Sequence, residues 1–537
     1  MRGQHAAPRP ARTARLGRLD PLWVAVGLGA ALVRIVLGLA VGLAPYSGDS
    51  WCLLHLGTAD FCASHPPTIT RIWRLFTFGT FTQGSVLLLQ GVLGVLGALL
   101  LFALLRRVAN RWLAAAAALL VSVVPVELFM ERVIMTEAVE TFVLLVGLWL
   151  GMWALRAPRR LDALWRVCAA VFVLGMGAAM HAAIALTVVT LTVLLVVLVV
   201  WRQVSERTTG SVISLLLAPL LAAAVLVAPS IPMALRYQST FGTLSTHAMA
   251  GTYLAASWAP LLSCPAPSGS QPAVEAFYRE ACTHRTFGDP PGVVAKLMWA
   301  PGLEFLRTAP DPSERAAFAR AQSTLAAAAV SGIAHHPGGF LAEVGRSLWF
   351  QMTARASTRA LHVYNTGRSQ WEEAQAETGP TAAAIRGWFG RTVPSATRPR
   401  PDLGTAVRMT DWLPQAVLWL TIATGLVRML LAAWRRLRGG SRRGARSWRR
   451  PPSDRVCLGL FASALVLTGM VAWAVGSWPI FRLWSPLVPG VAILAVLAVP
   501  RRRTPAGEAE IPEAPADAEV ADTPAESPAE TPELISG

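Results

Sequence analysis

Long apolar runs separated by short arginine-rich segments set the pattern of this chain. Runs of about 20 apolar residues match the thickness of a bilayer's hydrocarbon core. They fall at about 22–44, 85–105, 112–130 and 136–155. The apolar region 167–201 is longer than one crossing. Arg166 stands before it and Arg202 and Arg207 after it, so both flanks are basic and an even number of crossings is required. It therefore divides into two helices meeting near His181. A seventh run, about 211–230, ends before Pro232, and three more follow at about 412–434, 457–475 and 486–499. The pattern predicts an all-α polytopic membrane protein of about ten transmembrane helices.

Composition agrees. Of 537 residues, 54% are hydrophobic and 15% charged, against roughly 25% charged in soluble domains. The net charge of +17 could point to nucleic acid, but its placement excludes that reading. Arginine clusters at 9–18, 106–111, 156–166, 435–443 and 501–503 all sit between apolar runs. That is the positive-inside distribution. It places both termini in the cytoplasm of a multi-pass membrane protein. The N-terminal basic arm with its apolar run resembles a signal peptide, but the run is long and Pro45 stands where a small-residue cleavage site is needed. It reads as an uncleaved first helix.

Four segments follow: 1–230, a transmembrane core with the first outer loop at 46–84; 231–411, polar and mixed, an extracytoplasmic and mostly helical domain; 412–503, the last three spans; and 504–537, an acidic Ala/Pro/Glu-rich cytoplasmic tail without the residues to build a core. Cys52 and Cys62 fall in the first outer loop, Cys264 and Cys282 in the outer domain, and Cys168 and Cys457 inside helices. An oxidising compartment favours disulfides for the outer four. Local pairing, Cys52 with Cys62 and Cys264 with Cys282, is the simplest of three connectivities; buried free thiols are the alternative.

Candidate chemistry collects near the outer face. Asp49 follows the first span by a few residues, where a carboxylate at the water–lipid boundary can take a proton from an acceptor hydroxyl; it equally suits a turn beside Gly48. In the turn before span four, Thr136 is placed to cap the helix and Glu137 to favour its dipole. Glu140 lies one turn deeper, where a lipid-facing carboxylate is costly, so at least one of the two should face the bundle interior. Arg34, mid-span, is costly unless it is functional or paired; Glu140 and Glu127 are the candidate partners, and snorkelling to the interface is the alternative. Arg71, Arg74, Arg236 and Arg482 are positioned for phosphate contacts near the outer face. His335-His336 has no spaced third ligand, and no Gly-rich phosphate loop, metal-ligand cysteine spacing or nucleophile elbow is present.

One arrangement of motifs is familiar. Arg34 in the first span is followed by an Asp49 loop, His65-Pro66-Pro67, two spans, then Arg132 and Met135-Thr136-Glu137-Ala138. Later come Arg236 through Gly242 with Ser245, Thr246 and Gly251; His336-Pro337 with Phe340, Leu341, Arg346 and Trp349; and Phe481-Arg482 with Pro486 and Pro489. This order resembles the GT-C superfamily of membrane glycosyltransferases, in particular bacterial protein mannosyltransferases and the lipid A aminoarabinose transferase type. The resemblance implies a GT-C-like bundle and transfer of a sugar from a polyprenyl-phosphate donor, within the membrane lipid, to an envelope acceptor that is protein, lipid or polysaccharide. Asp49 would be the catalytic base and Glu137 a second carboxylate; His65, Arg71, Arg74, Arg132, Arg236 and Arg482 would bind substrate; Arg34 and Glu140 would hold the structure. No residue is assigned to a metal, though the family leaves room for a divalent cation. Members often carry a second acid directly after the first, where this chain has Ser50. The competing classes are a multi-spanning transporter or lipid flippase, which would more often show internal repeats, and a non-catalytic envelope-assembly subunit.

Overall fold

The computed structural model describes residues 20–40, 71, 74–76, 83–132, 136–181, 184–205, 212–283, 297, 302–306, 308–353, 419, 422–428, 431, 453–475 and 486–499. These are mostly helical, with no strand among the described residues. In the first part of the chain, α1 is Pro21–Ala40, α2 Gln83–Leu105, α3 Arg111–Ser122, α4 Pro125–Met130, α5 Glu137–Ala154, α6 Arg160–Met180, α7 Ala185–Ser205 and α8 Val212–Val227. There follow α9 Ile231–Phe241, α10 Ala250–Ser257, α11 Pro272–Thr283, α12 Arg315–His335, α13 Pro337–Thr353, α14 Asp454–Val475 and α15 Val488–Ala498. Among the described residues, six helical stretches are long and apolar enough to cross a membrane: Leu88–Leu105, Glu137–Ala154, Leu161–Met180, Ala185–Gln203, Leu217–Phe241 and Asp454–Ala472. Three more apolar helices are shorter.

The exposed faces identify the solvent. Leu28, Leu32 and Ile35 on α1, and Leu186, Val189, Val193 and Val197 on α7, point outward at spacings of three and four. A water-facing helix would bury such a stripe; lipid accepts it.

Some expected boundaries shift, and prolines account for the shifts. The third run divides into α3 and α4 at Pro125, which cannot donate a backbone hydrogen bond and restricts Val124 to an extended conformation. The Asn110 side chain starts α3 by accepting the backbone N–H groups of Trp112 and Leu113, at 2.7 and 3.3 Å. Pro232 does not end the seventh helix. After the 3-10 turn Ala228–Ser230 it occupies the first turn of α9, where no N–H is needed, and helix continues to Phe241. The region 167–201 does divide: α6 ends at Met180, His181 is extended, and α7 begins at Ala185.

Two apolar cores result. One draws on residues 22–222 and 422–497; the other lies within 233–329. In the first, α5 packs between α2 and α6, α7 packs on α6 and α14, and α15 packs on α3 and α14. The second is built on α10 crossing α12. A Cβ at Gly251 would overlap the Gln322 backbone, so glycine permits that crossing. Gln322 locks it, accepting the Thr252 N–H at 2.9 Å and donating to the Thr252 hydroxyl at 2.8 Å. Cys264 and Cys282 are joined by a disulfide with a Cα–Cα distance of 6.2 Å, as the local pairing requires. Cys52 and Cys62 lie outside the described residues.

Arginines gather at one end of the bundle. Arg106 pairs with Asp20 at 3.5 Å, Arg156 pairs with Asp454, and Arg107 lies close enough to Arg156 to feel its charge. The Arg166 guanidinium stacks 4.0 Å above the Trp153 ring, and Arg455 donates to the Leu497 and Val499 carbonyls at 2.8 and 3.0 Å. These contacts join the entrance of α1, the exits of α2, α5 and α15, and the starts of α6 and α14.

The disulfide closes a sequence separation of 18. In the Cys264→Ser, Cys282→Ser variant the second core should lose about 3 kcal/mol of stability through loop-closure entropy. In the unreduced native protein, thiol-labelling mass spectrometry should find both cysteines protected until a reductant is added.

Candidate functional site

A buried polar cluster occupies the opposite end of the bundle. It begins with Arg34 on α1. Its guanidinium donates to the Ala30 carbonyl at 3.1 Å and to Glu131 Oε1 at 2.5 Å, with both side chains buried. Arg132, also buried, donates to the Arg34 carbonyl at 2.7 Å. The α4–α5 turn thus reaches α1 through two consecutive residues. On α2 the position facing this pair is Gly94, where a Cβ would overlap both the Arg34 guanidinium and the Glu131 carboxylate. Gln90, one turn earlier on α2, is wholly buried, and Glu127, one turn before Glu131, is buried too.

Glu137 opens α5 and is wholly buried, as is Glu140 one turn on. Glu140 lies 3.3 Å from His181 Nδ1 at the break between α6 and α7. His181 is partly exposed, whereas Glu140 is wholly buried. The carboxylates therefore do turn into the bundle, as their cost in lipid requires.

Two expectations are corrected here. Arg34 is partnered by Glu131 rather than by Glu140 or Glu127. Glu140 is turned toward His181, whereas Glu131 sits beside the gap that Gly94 leaves open. Thr136 makes no side-chain cap to α5, because its backbone is already helical (φ −81°, ψ −23°) and an N-cap acceptor needs an extended residue.

Arg71 and Arg74 are exposed beside exposed Leu75 and Phe76. Arg236 is half-buried on α9, in the unit of the second core. Cys264 and Cys282 also belong to that unit, as a disulfide. Asp49, His65 and Arg482 fall outside the described residues. Among the described residues no group of three or more His, Cys, Asp or Glu side chains is arranged to hold a metal ion.

Sequence reasoning missed Gln90, Gly94 and His181 as members of the cluster, and took Glu131 only as the start of the candidate turn Glu131–Glu137. Glu131 carried a signal, as an acid beside Arg132 in a turn between apolar runs. Gly94 carried none, since glycine recurs along the same helix at Gly91 and Gly97.

The cluster shares its end of the bundle with the second core. Gly175, near the end of α6, lies against the Leu226 carbonyl and Pro229, where the chain leaves α8 for α9. His181 is one and a half turns beyond. Chemically, the cluster offers dry carboxylates able to orient or deprotonate a hydroxyl, and guanidiniums able to bind an anion. No protein-family model, curated protein or solved structure matches the chain.

Arg34→Ala would strand the Glu131 carboxylate in a dry site and should cost about 3–5 kcal/mol. Removing both partners, Arg34→Ala with Glu131→Ala, should cost less than the two single losses added together. Gly94→Ala should destabilise without removing any charge. Thermal unfolding in detergent checks all three.

Proposed function

We propose that this protein is a membrane glycosyltransferase that moves a sugar from a polyprenyl-phosphate donor to an envelope acceptor on the outer face of the bacterial inner membrane. The observation that carries the reading is the placement of Glu137 and Glu140. Both are wholly buried in the first turn of a span-length helix, at the end of the bundle away from the arginines. A carboxylate there costs free energy that packing alone does not return.

The sidedness is part of the proposal. Arginines favour the cytoplasm, and a disulfide favours an oxidising compartment. The disulfide-bearing unit joins the bundle at the end opposite the arginines. With the three shorter apolar helices, and with the run at about 412–434, of which 422–428 is helical, the spans number about ten. Both termini are then cytoplasmic, and the unit from 231 onward is extracytoplasmic.

The reaction follows from the resemblance to the GT-C superfamily. Asp49 takes the proton of an acceptor hydroxyl, whose oxygen attacks the anomeric carbon from the face opposite the phosphate. The bond from that carbon to the phosphate oxygen breaks with inversion, and the electron pair leaves on the polyprenyl phosphate. Arg71, Arg74, Arg236 and Arg482 stabilise that charge, with His65 and Arg132 completing the substrate site. Glu137 orients donor or acceptor. α1 leads towards Asp49 and α5 begins at Glu137, so the Arg34–Glu131 pair sets the distance between the two ends.

The test is transfer by the purified protein from radiolabelled polyprenyl-phosphate sugars. Asp49→Asn should lower turnover by at least about 100-fold, the usual worth of a general base, while leaving donor binding near the native value. Glu137→Gln should also impair turnover. Unchanged turnover in Asp49→Asn would end its assignment as base. Movement of labelled lipid across a vesicle without sugar transfer would place the protein among flippases instead.

A further inference from the structure

Helix α13 is built inside out. Its inner face carries Phe340, Glu343 and Ser347. Glu343 is buried and Ser347 wholly so, its hydroxyl without a hydrogen-bond partner. Burial raises the Glu343 carboxyl above its ordinary range, opposed by Arg346 at 3.3 Å. The outer face carries Leu341 and Trp349, 67% and 65% exposed, eight residues apart with Gly345 between them. A helix facing water carries the reverse pattern, with apolar residues inward and polar ones outward.

Three contacts locate the helix. It packs along α14, a span-length helix whose Leu467 and Val471 are themselves exposed apolar residues. Leu348 joins the core of the bundle. At the other end, the Phe340 ring lies 4.6 Å from that of Trp258, which is wholly buried. The helix therefore runs along the seam where the second unit meets the bundle, and its outer face continues the apolar surface of the spans.

We propose that α13 is an interfacial helix whose outer face docks on the phospholipid bilayer. Leu341 and Trp349 enter the boundary between headgroups and acyl chains. Tryptophan is at home there because its ring is apolar and its N–H can reach water. Arg346, 46% exposed on the flank of that face, extends towards the headgroup phosphates. With its apolar face in lipid, the helix turns its polar stripe, Glu343 and Ser347, onto protein. The proposal rests on the bundle spanning a membrane and is independent of glycosyl transfer.

The experiment uses the full chain in phospholipid nanodiscs. A photoreactive benzoylphenylalanine replaces Leu341 or Trp349, one at a time, and phospholipid adducts are counted by mass spectrometry. Leu220, on the exposed apolar face of α8, calibrates a lipid-facing position. Ser268, exposed in the loop closed by the disulfide, calibrates an aqueous one. Both α13 positions should yield adducts within about twofold of Leu220 and at least about tenfold above Ser268. All four sites are exposed, so the substitutions leave the packing intact. Adducts at Leu341 and Trp349 no more frequent than at Ser268 would overturn the proposal, as would cross-links from those positions to a second protein copy in place of lipid. Because no turnover is measured, failure of the glycosyl-transfer reading leaves this result unaffected.

Discussion

The buried pair of Arg34 and Glu131 is the constraint on which the polar end of the bundle depends. A guanidinium in the middle of a membrane helix is tolerable only with a partner, and its partner must have shed its own water. Glu131 meets that requirement at 2.5 Å, and Arg132 adds a second tie to the Arg34 carbonyl. The space for this arrangement comes from a missing side chain, Gly94 on α2. Three elements that are distant in sequence are thereby held at one point: the second half of α1, the middle of α2, and the turn that launches α5.

Around it the bundle separates its charges by end. Arginines paired with Asp20 and Asp454, or stacked on Trp153, hold one boundary. Carboxylates turned inward, with Arg34, Arg132 and His181 among them, occupy the other. Between the two, side chains are apolar both towards the core and towards the outside, because the medium on both faces is hydrocarbon. The separation has a simple physical origin: arginine side chains can extend to water at a boundary, whereas a short carboxylate inside a helix must find its compensation within the protein.

The second core obeys a different rule. α10 and α12 approach closely at Gly251, and Gln322 satisfies the groups buried by that approach. A disulfide then closes the chain around α11. This is the construction of a compact unit that gains its stability from burial and cross-linking. α13 joins the two styles, carrying one aromatic contact to the second core and one leucine into the bundle.

Much of the helical layout was legible in the sequence. Run lengths near 20 residues marked the six span-length helices, and parity of the arginine flanks required a break near His181, which is where α6 ends. The pairing of Cys264 with Cys282 was the simplest of three, and the inward turn of at least one of Glu137 and Glu140 followed from the cost of charge in lipid. What the pattern left open was decided in three dimensions. Arg34 had four acids available: Glu127 on α4, Glu131 in the turn after it, and Glu137 and Glu140 at the start of α5. The choice fell on Glu131 because Gly94 opened space beside that one, and because His181, brought across from the end of α6, held Glu140. Hydrophobicity is a property of each residue and its near neighbours, so it can be read along the chain. The identity of a buried charge's partner depends on which helices lie side by side, and only packing determines that.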